Sequence, residues 1–158
     1  MLSEDRFKIV VESTPLVSID LCLMHEGQIL LGKRNHRPLK GHWFTPGGRI
    51  RKNESWKNGL RRIAFSELGI KVNDINSFIL MGIWDHFYKD SMFDECVSSH
   101  YINIPHYTYL ECKPDIQTDD QHHETDWFNL EEVASDFRFH EYMRIYANWL
   151  IKKGDKYD

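Results

Sequence analysis

The chain has 158 residues, 41% of them hydrophobic, and a formal net charge of −4. That suits one compact domain over residues 1–158 with a core large enough to fold without disulfide or metal. The acidic balance argues against a dedicated nucleic-acid binder, and no run of about 18 apolar residues suggests a membrane span.

Ser3 to Ser13 reads as a short amphipathic helix with Phe7, Val10 and Val11 on one face. Leu16 to Met24 reads as a strand, Glu26-Gly27 as a tight turn and Gln28 to Arg34 as the returning strand. Asn35 to Gly41 is a loop. Trp43-Phe44-Thr45 is a short β segment ending at the punctuator Pro46-Gly47-Gly48. A helix is expected from Ser55 to Leu68, with Trp56, Leu60, Ile63, Ala64 and Leu68 inward and Gly69 as its stop. Ser77 to Tyr88 and Ser98 to Cys112 look like two long strands. Thr118 to Thr125 is a polar loop, Asp126 to Leu130 a strand, and Glu131 to Ser135 a helical turn. His140 to Lys152 forms a final helix with Tyr142, Ile145, Tyr146 and Trp149 on its apolar side. The class is mixed α/β, a sheet flanked by helices.

Cys22, Cys96 and Cys112 are widely spaced and form no CxxC pair. Free thiols in a reducing compartment are expected, with Cys22 and Cys112 packed as small apolar groups. The charged start MLSEDRFKIV is unlike a signal peptide, so a cytoplasmic location is expected.

Taken singly, most polar residues have two readings. His122 and His123, in the acidic run Asp119-Asp120-Gln121-His122-His123-Glu124, suit a solvated turn as well as a base. His86, in an aromatic strand, suits a core histidine. Arg34 and Arg49 suit surface charges, and Asp20 a turn former. Tyr88 and Tyr101 suit sheet packing, and Tyr88 also suits stacking on a base. The remaining histidines lack zinc-ligand spacing.

The segment from Gly47-Gly48 through Glu54 to Arg62-Ile63-Ala64-Phe65-Ser66-Glu67-Leu68-Gly69-Ile70 carries more. It resembles the Nudix box, in which a glycine loop and a helix carboxylate hold a divalent cation. Gly48, Glu54, Arg62, Ala64, Glu67, Gly69 and Ile70 fall in register, whereas Ile63 and Ser66 replace two acids. Hard oxygen donors suit Mg²⁺, which bridges readily to phosphate. A glycine lets a backbone carbonyl approach the ion. Losing two acids is expected to reduce the number of ions held and to free Arg62 to meet phosphate.

Five further segments narrow the resemblance: Thr14-Pro15-Leu16-Val17-Ser18-Ile19-Asp20, Leu31-Gly32-Lys33-Arg34, Trp43-Phe44-Thr45-Pro46-Gly47-Gly48-Arg49, Gly82-Ile83-Trp84-Asp85-His86-Phe87-Tyr88 and Asp120-Gln121-His122. Together they resemble the GDP-mannose mannosyl hydrolases of the Nudix hydrolase family, from Phe7 to Trp127. The resemblance implies a Nudix-type α/β/α sandwich with a mixed central sheet. It also implies hydrolysis of GDP-mannose or GDP-glucose by water attack at the anomeric carbon, with inversion.

Residue by residue, the resemblance implies that the Gly47 carbonyl, Glu67 and Gln121 hold one Mg²⁺, for which Mn²⁺ can substitute. Arg34 and Arg62 then meet the leaving diphosphate, Arg49 and Asp20 belong to the substrate site, and His86 and Tyr101 polarise the leaving group. His122 is the general base, with His123 as its neighbouring competitor. A homodimer is implied as well. The chemistry is coherent: cations neutralise charge as it develops on the diphosphate, and a histidine takes the water's proton near neutral pH. Two alternatives stand beside it: pyrophosphatase attack on phosphorus, and a non-catalytic module that binds a nucleotide sugar.

Overall fold

The structure, a computed structural model, describes residues 2–118 and 124–155. Gln121, His122 and His123 lie outside the described residues. Helix α1 (Glu4–Ser13) leads into β1 (Leu16–His25), the strand that organises the molecule. Side chains alternate along a strand. In β1, Ile19, Leu21 and Leu23 enter one core cluster, and Cys22 and Met24 enter another. Both faces of the strand are therefore covered, which explains its nearly continuous apolar run.

At Glu26 and Gly27 φ is 45° and 76°, the conformation a two-residue hairpin needs. The turn sets β2 (Gln28–Lys33) antiparallel to β1, with Met24 opposite Ile29. β3 (Trp43–Phe44) pairs with β2, and β4 (Gly47–Arg49) pairs with β1. Helix α2 (Trp56–Leu68) begins at Ser55, whose side chain accepts from the Asn58 N–H. It ends at left-handed Gly69, as the sequence suggests. Leu60, Ile63, Ala64 and Leu68 bury against the odd-numbered face of β1. Trp56, expected inside, is 40% exposed; it sits at the first turn, stacked on His106.

Both expected long strands are broken. A 3₁₀ turn (Ile75–Ser77), β5 (Ile79–Leu80) and β6 (Trp84–Tyr88) replace the first. The second divides into β7 (Ser99–Asn103) and β8 (His106–Tyr109) around Pro105, which has no N–H for the ladder. β7 and β8 run parallel to successive halves of β1. β9 (Thr125–Asn129) is antiparallel to β2. Helices α3 (Leu130–Ser135) and α4 (Glu141–Asp155) pack on each other, and α4 brings Met143, Tyr146, Ala147 and Leu150 onto the second face. Among the described residues the result is a mixed sheet between helical layers, with β6 on one edge. No described helix is long and apolar enough to cross a membrane. Cys22 is buried as expected, whereas Cys112 is exposed, because it lies past the end of β8 rather than inside a strand.

Candidate active site

Residues paired across strands share a face. Tyr101 stands beside Leu16, Asn103 beside Ser18, Arg49 opposite Ser18, and Gly47 opposite Asp20. His86 stands opposite Tyr101 and Tyr88 opposite Ser99. Register alone thus brings Asp20, Gly47, Arg49, His86, Tyr88 and Tyr101 to the side of the sheet covered by α4.

Asp20 is only 4% exposed. Its Oδ2 accepts from the Tyr146 hydroxyl and from Asn103 Nδ2, both at 2.6 Å. Burial pushes its carboxyl up to about 6, against the pull of those two bonds and of the Arg34 charge. Arg34 is half-buried and held by its own loop. Its Nε donates to the Pro38 carbonyl at 2.8 Å and its N–H to the His42 carbonyl at 2.9 Å. The Arg34 charge pulls on Asp20, Tyr88 and Tyr101, so these four form one electrostatic cluster. Desolvation dominates at both tyrosines and keeps their hydroxyls protonated.

His86 is 1% exposed. Its ring stacks on Tyr142, with centroids 3.9 Å apart and planes 2° from parallel. Burial, then the nearby His140, lowers its pKa to about 4, so the imidazole is neutral at pH 7. Tyr88 lies 3.4 Å from its Nδ1, and its Nε2 has no hydrogen-bond partner among the described residues. A buried polar atom left so costs roughly 1–3 kcal/mol, and such atoms concentrate where a ligand or water completes the site.

Arg49 sits with its guanidinium 3.7 Å from the centre of the Phe7 ring, and partial burial lowers its pKa. Arg62 departs from expectation. It is not freed by the loss of acids from the helix, because Glu54 takes their place. Arg62 Nε donates to Glu54 Oε1 at 2.7 Å, and its terminal nitrogen donates to Oε2 at 2.9 Å and to the Arg49 carbonyl at 2.7 Å. This two-pronged pairing draws the Glu54 carboxyl down to about 2. Arg62 thereby ties α2 to the strand that carries Arg49.

Gly47 and Gly48 are fixed by crowding. A Cβ on Gly47 would fall 2.6 Å from both the Ile19 carbonyl oxygen and Asp20 Oδ1. On Gly48 it would fall 3.1 Å from Ile63 Cγ1. Ile63 is 1% exposed, so the first missing acid has become part of the core. Glu67, one turn further along the same face, is half-buried and is the carboxylate that α2 supplies. Its charge is felt by Arg62. A carbonyl in a glycine cradle, one carboxylate and a side-chain amide are all oxygen donors, which fits a hard divalent cation. Among the described residues no group of three or more Asp, Glu, His or Cys is placed so that it could hold a metal ion.

The described chain flanking Gln121 and His122 is anchored at both ends. The Gln117 N–H donates to the Leu68 carbonyl at the end of α2, and Lys33, beside Arg34, donates to the Glu124 carbonyl. Sequence reasoning missed Asn103, Tyr142 and Tyr146. Asn103 follows Tyr101 by two residues on one strand face. The two tyrosines lie four apart on one helix face and read as packing residues.

A NUDIX domain family model matches residues 14–150. The chain is 36% identical over 121 residues to the low-salt glycan biosynthesis protein Agl8 of Haloferax volcanii, covering 77% of this chain and 75% of that protein. Among solved structures it is similar to a MutT protein from Methanosarcina mazei Go1, with a TM-score of 0.71 and 23% identity over 90% of this chain and 97% of that one. It is also similar to the NUDIX domain of Shewanella oneidensis NrtR complexed with ADP ribose, with a TM-score of 0.68 and 13% identity over 96% and 99% of the chains. These structural likenesses bear on the fold. The family match, the box in register on its loop and helix, and the α/β/α layers agree that this chain belongs to the Nudix family of hydrolases.

Proposed function

We propose that this chain hydrolyses GDP-mannose, and GDP-glucose by the same route, to GDP and free sugar by inverting attack of water at the anomeric carbon. The observation that carries this reading is Ile63, buried against Gly48. With it, α2 offers one carboxylate, Glu67, where attack on phosphorus commonly recruits more than one metal ion. The Gly47 carbonyl, Glu67 and Gln121 would hold Mg²⁺ or Mn²⁺, whose charge stabilises the departing diphosphate. Similarity to a glycan biosynthesis protein is consistent with a sugar nucleotide as substrate.

In this reading His122 takes a proton from the attacking water. The water oxygen bonds to the anomeric carbon as the bond to the diphosphate oxygen breaks, and that oxygen keeps the electron pair. Arg34 meets the growing negative charge, Arg62 supports it from its pairing with Glu54, and Arg49 belongs to the substrate site. The buried, neutral His86 contributes through its unpartnered Nε2. If Tyr88 donates to Nδ1, then Nε2 carries the proton and donates to the leaving group, with the Tyr101 hydroxyl as a second donor. Asp20 faces the sugar, held by Tyr146 and Asn103, and Tyr88 lines the substrate site beside it. The same reading carries a cytoplasmic homodimer, which sedimentation analysis would test.

Hydrolysis in ¹⁸O-labelled water tests the chemistry. Label in free mannose, with unlabelled GDP, is expected. Recovery of GMP and mannose 1-phosphate would instead establish pyrophosphatase attack. Absence of turnover with Mg²⁺, together with tight binding of the nucleotide sugar, would mark a binding module.

A further inference from the structure

Strand β6 is the edge of the sheet, hydrogen-bonded on one side to β7. An exposed edge leaves backbone groups without partners. Here the outer edge at Phe87 meets one side chain from the other end of the chain. The Tyr142 hydroxyl accepts from the Phe87 N–H at 2.9 Å and donates to the Phe87 carbonyl at 3.2 Å. The same ring lies flat on His86, the residue before Phe87, at 3.9 Å and 2°. Tyr142 also meets Tyr88, the residue after it, edge-on at 5.7 Å. One tyrosine therefore grips three consecutive residues of the edge strand, two of which carry side chains of the site face.

Tyr142 is itself fixed. It lies in the first turn of α4, where its N–H donates to His140 Nδ1 at 3.1 Å. One turn later the same helix face presents Tyr146, which holds Asp20. We propose that Tyr142 is a positioning residue for the reaction: its hydroxyl locks the β6 edge and its ring sets the plane of His86, so that the imidazole meets the leaving group in one orientation. This rests on the role given to His86 under the proposed function. Packing on its own would need only the ring. The two hydrogen bonds to one peptide add a directional constraint, and a loose edge strand would let the His86 ring rotate and its side chain shift.

The test separates ring from hydroxyl and position from stability. Tyr142→Phe keeps the stack and removes the clamp, and Tyr142→Leu removes both. With the full-length chain, Mg²⁺ and GDP-mannose, Tyr142→Phe is expected to lower kcat about tenfold with KM within about twofold, the size typical of losing a group that orients a reacting one. Tyr142→Leu is expected to lower kcat further. In a His86→Asn background, Tyr142→Phe should add nothing to the loss, because the two act as one unit. Equal losses in both backgrounds, or an unchanged kcat with a lowered melting temperature, would overturn the proposal.

A second readout does not depend on substrate. In ¹⁵N-histidine-labelled protein, His86 is expected to give one sharp neutral-imidazole signal that shifts and broadens in Tyr142→Phe. An unaltered His86 signal would overturn the positioning role. An altered signal in an enzyme that leaves GDP-mannose intact would retain it and remove the substrate assignment instead.

Discussion

Asp20 presses its carboxylate onto the backbone of Gly47: Oδ1 lies where a Cβ on that glycine would approach to 2.6 Å. The Ile19 carbonyl oxygen closes the same space at 2.6 Å. One contact is backbone and the other is a carboxylate pinned by Tyr146 and Asn103, so neither can retreat cheaply. Gly47→Ala is therefore expected to cost about 1–3 kcal/mol, the usual range for overpacking, and to disturb the carbonyl assigned to the cation. Gly48→Ala meets only Ile63, with Cγ1 at 3.1 Å rather than two oxygens at 2.6 Å, so a shift of a few tenths of an ångström relieves it and it should cost less. Urea denaturation of both variants, with Mg²⁺ titration by calorimetry, checks the pair. Equal stabilities would show that Asp20 does not confine Gly47.

The raised Asp20 value makes a stability prediction. Folding moves its carboxyl from 3.8 to about 6, so the folded protein holds this proton more tightly. Rising pH through that window therefore removes stability, and the loss is complete above about 6. The size is on the order of 3 kcal/mol, from about two pH units at 1.36 kcal/mol each. Asp20→Asn lacks the group, and its amide oxygen can still accept from Tyr146 and Asn103. Chemical denaturation at pH 4 and at pH 7 should show the wild type losing ground to Asp20→Asn by that order. A constant difference would place the shift elsewhere.

Glu54 works in the opposite direction. Its carboxyl is drawn from 4.5 to about 2 by Arg62, so the stabilisation is present above pH 4.5 and lost as pH falls toward 2. Glu54→Gln should flatten the acid limb of a melting-temperature profile between those values. Arg62→Ala should flatten most of it, since the Arg62 hydrogen bond is the largest cause of the low value. A flattened limb in only one variant would mean that Glu54 owes its low value to the Arg51 backbone N–H, which also donates to it at 2.9 Å.

Much of this site was legible from local pattern. The hairpin turn at Glu26-Gly27 and the α2 stop at Gly69 are set by residues adjacent in sequence, and each is formed as expected; Gly47 and Gly48, expected as a punctuating loop, instead lie in β4, paired with Asp20 and Ile19 of β1. What was not legible depends on partners far apart in the chain. Tyr146 and Asp20 are separated by 126 positions. Nothing in the apolar spacing of α4 says that two of its tyrosines will spend their hydroxyls on a carboxylate and on a strand edge. The release expected for Arg62 failed for a related reason. The two missing acids belong to the helix, whereas Glu54 reaches Arg62 from the loop that precedes it.

The buried Ile63 gives the most direct test of how the acid set was reduced. Ile63 and Glu67 lie one turn apart on one helix face, and the space beside Gly48 that a carboxylate at residue 63 would enter is filled by an apolar chain in contact with the core. Ile63→Glu should therefore not simply restore a second ligand. It places a carboxylate among Ile19, Leu60 and Leu68, all below 2% exposure, and should destabilise the apo protein by roughly 3 kcal/mol or more. If the new carboxylate turns outward to share a cation with Glu67, Mg²⁺ will raise the melting temperature of Ile63→Glu more than that of the wild type, because a ligand bound only to the folded state stabilises it by mass action. Equal Mg²⁺ shifts, with the full loss of stability retained, would mean that residue 63 is committed to the core and that the cradle is built for a single acid.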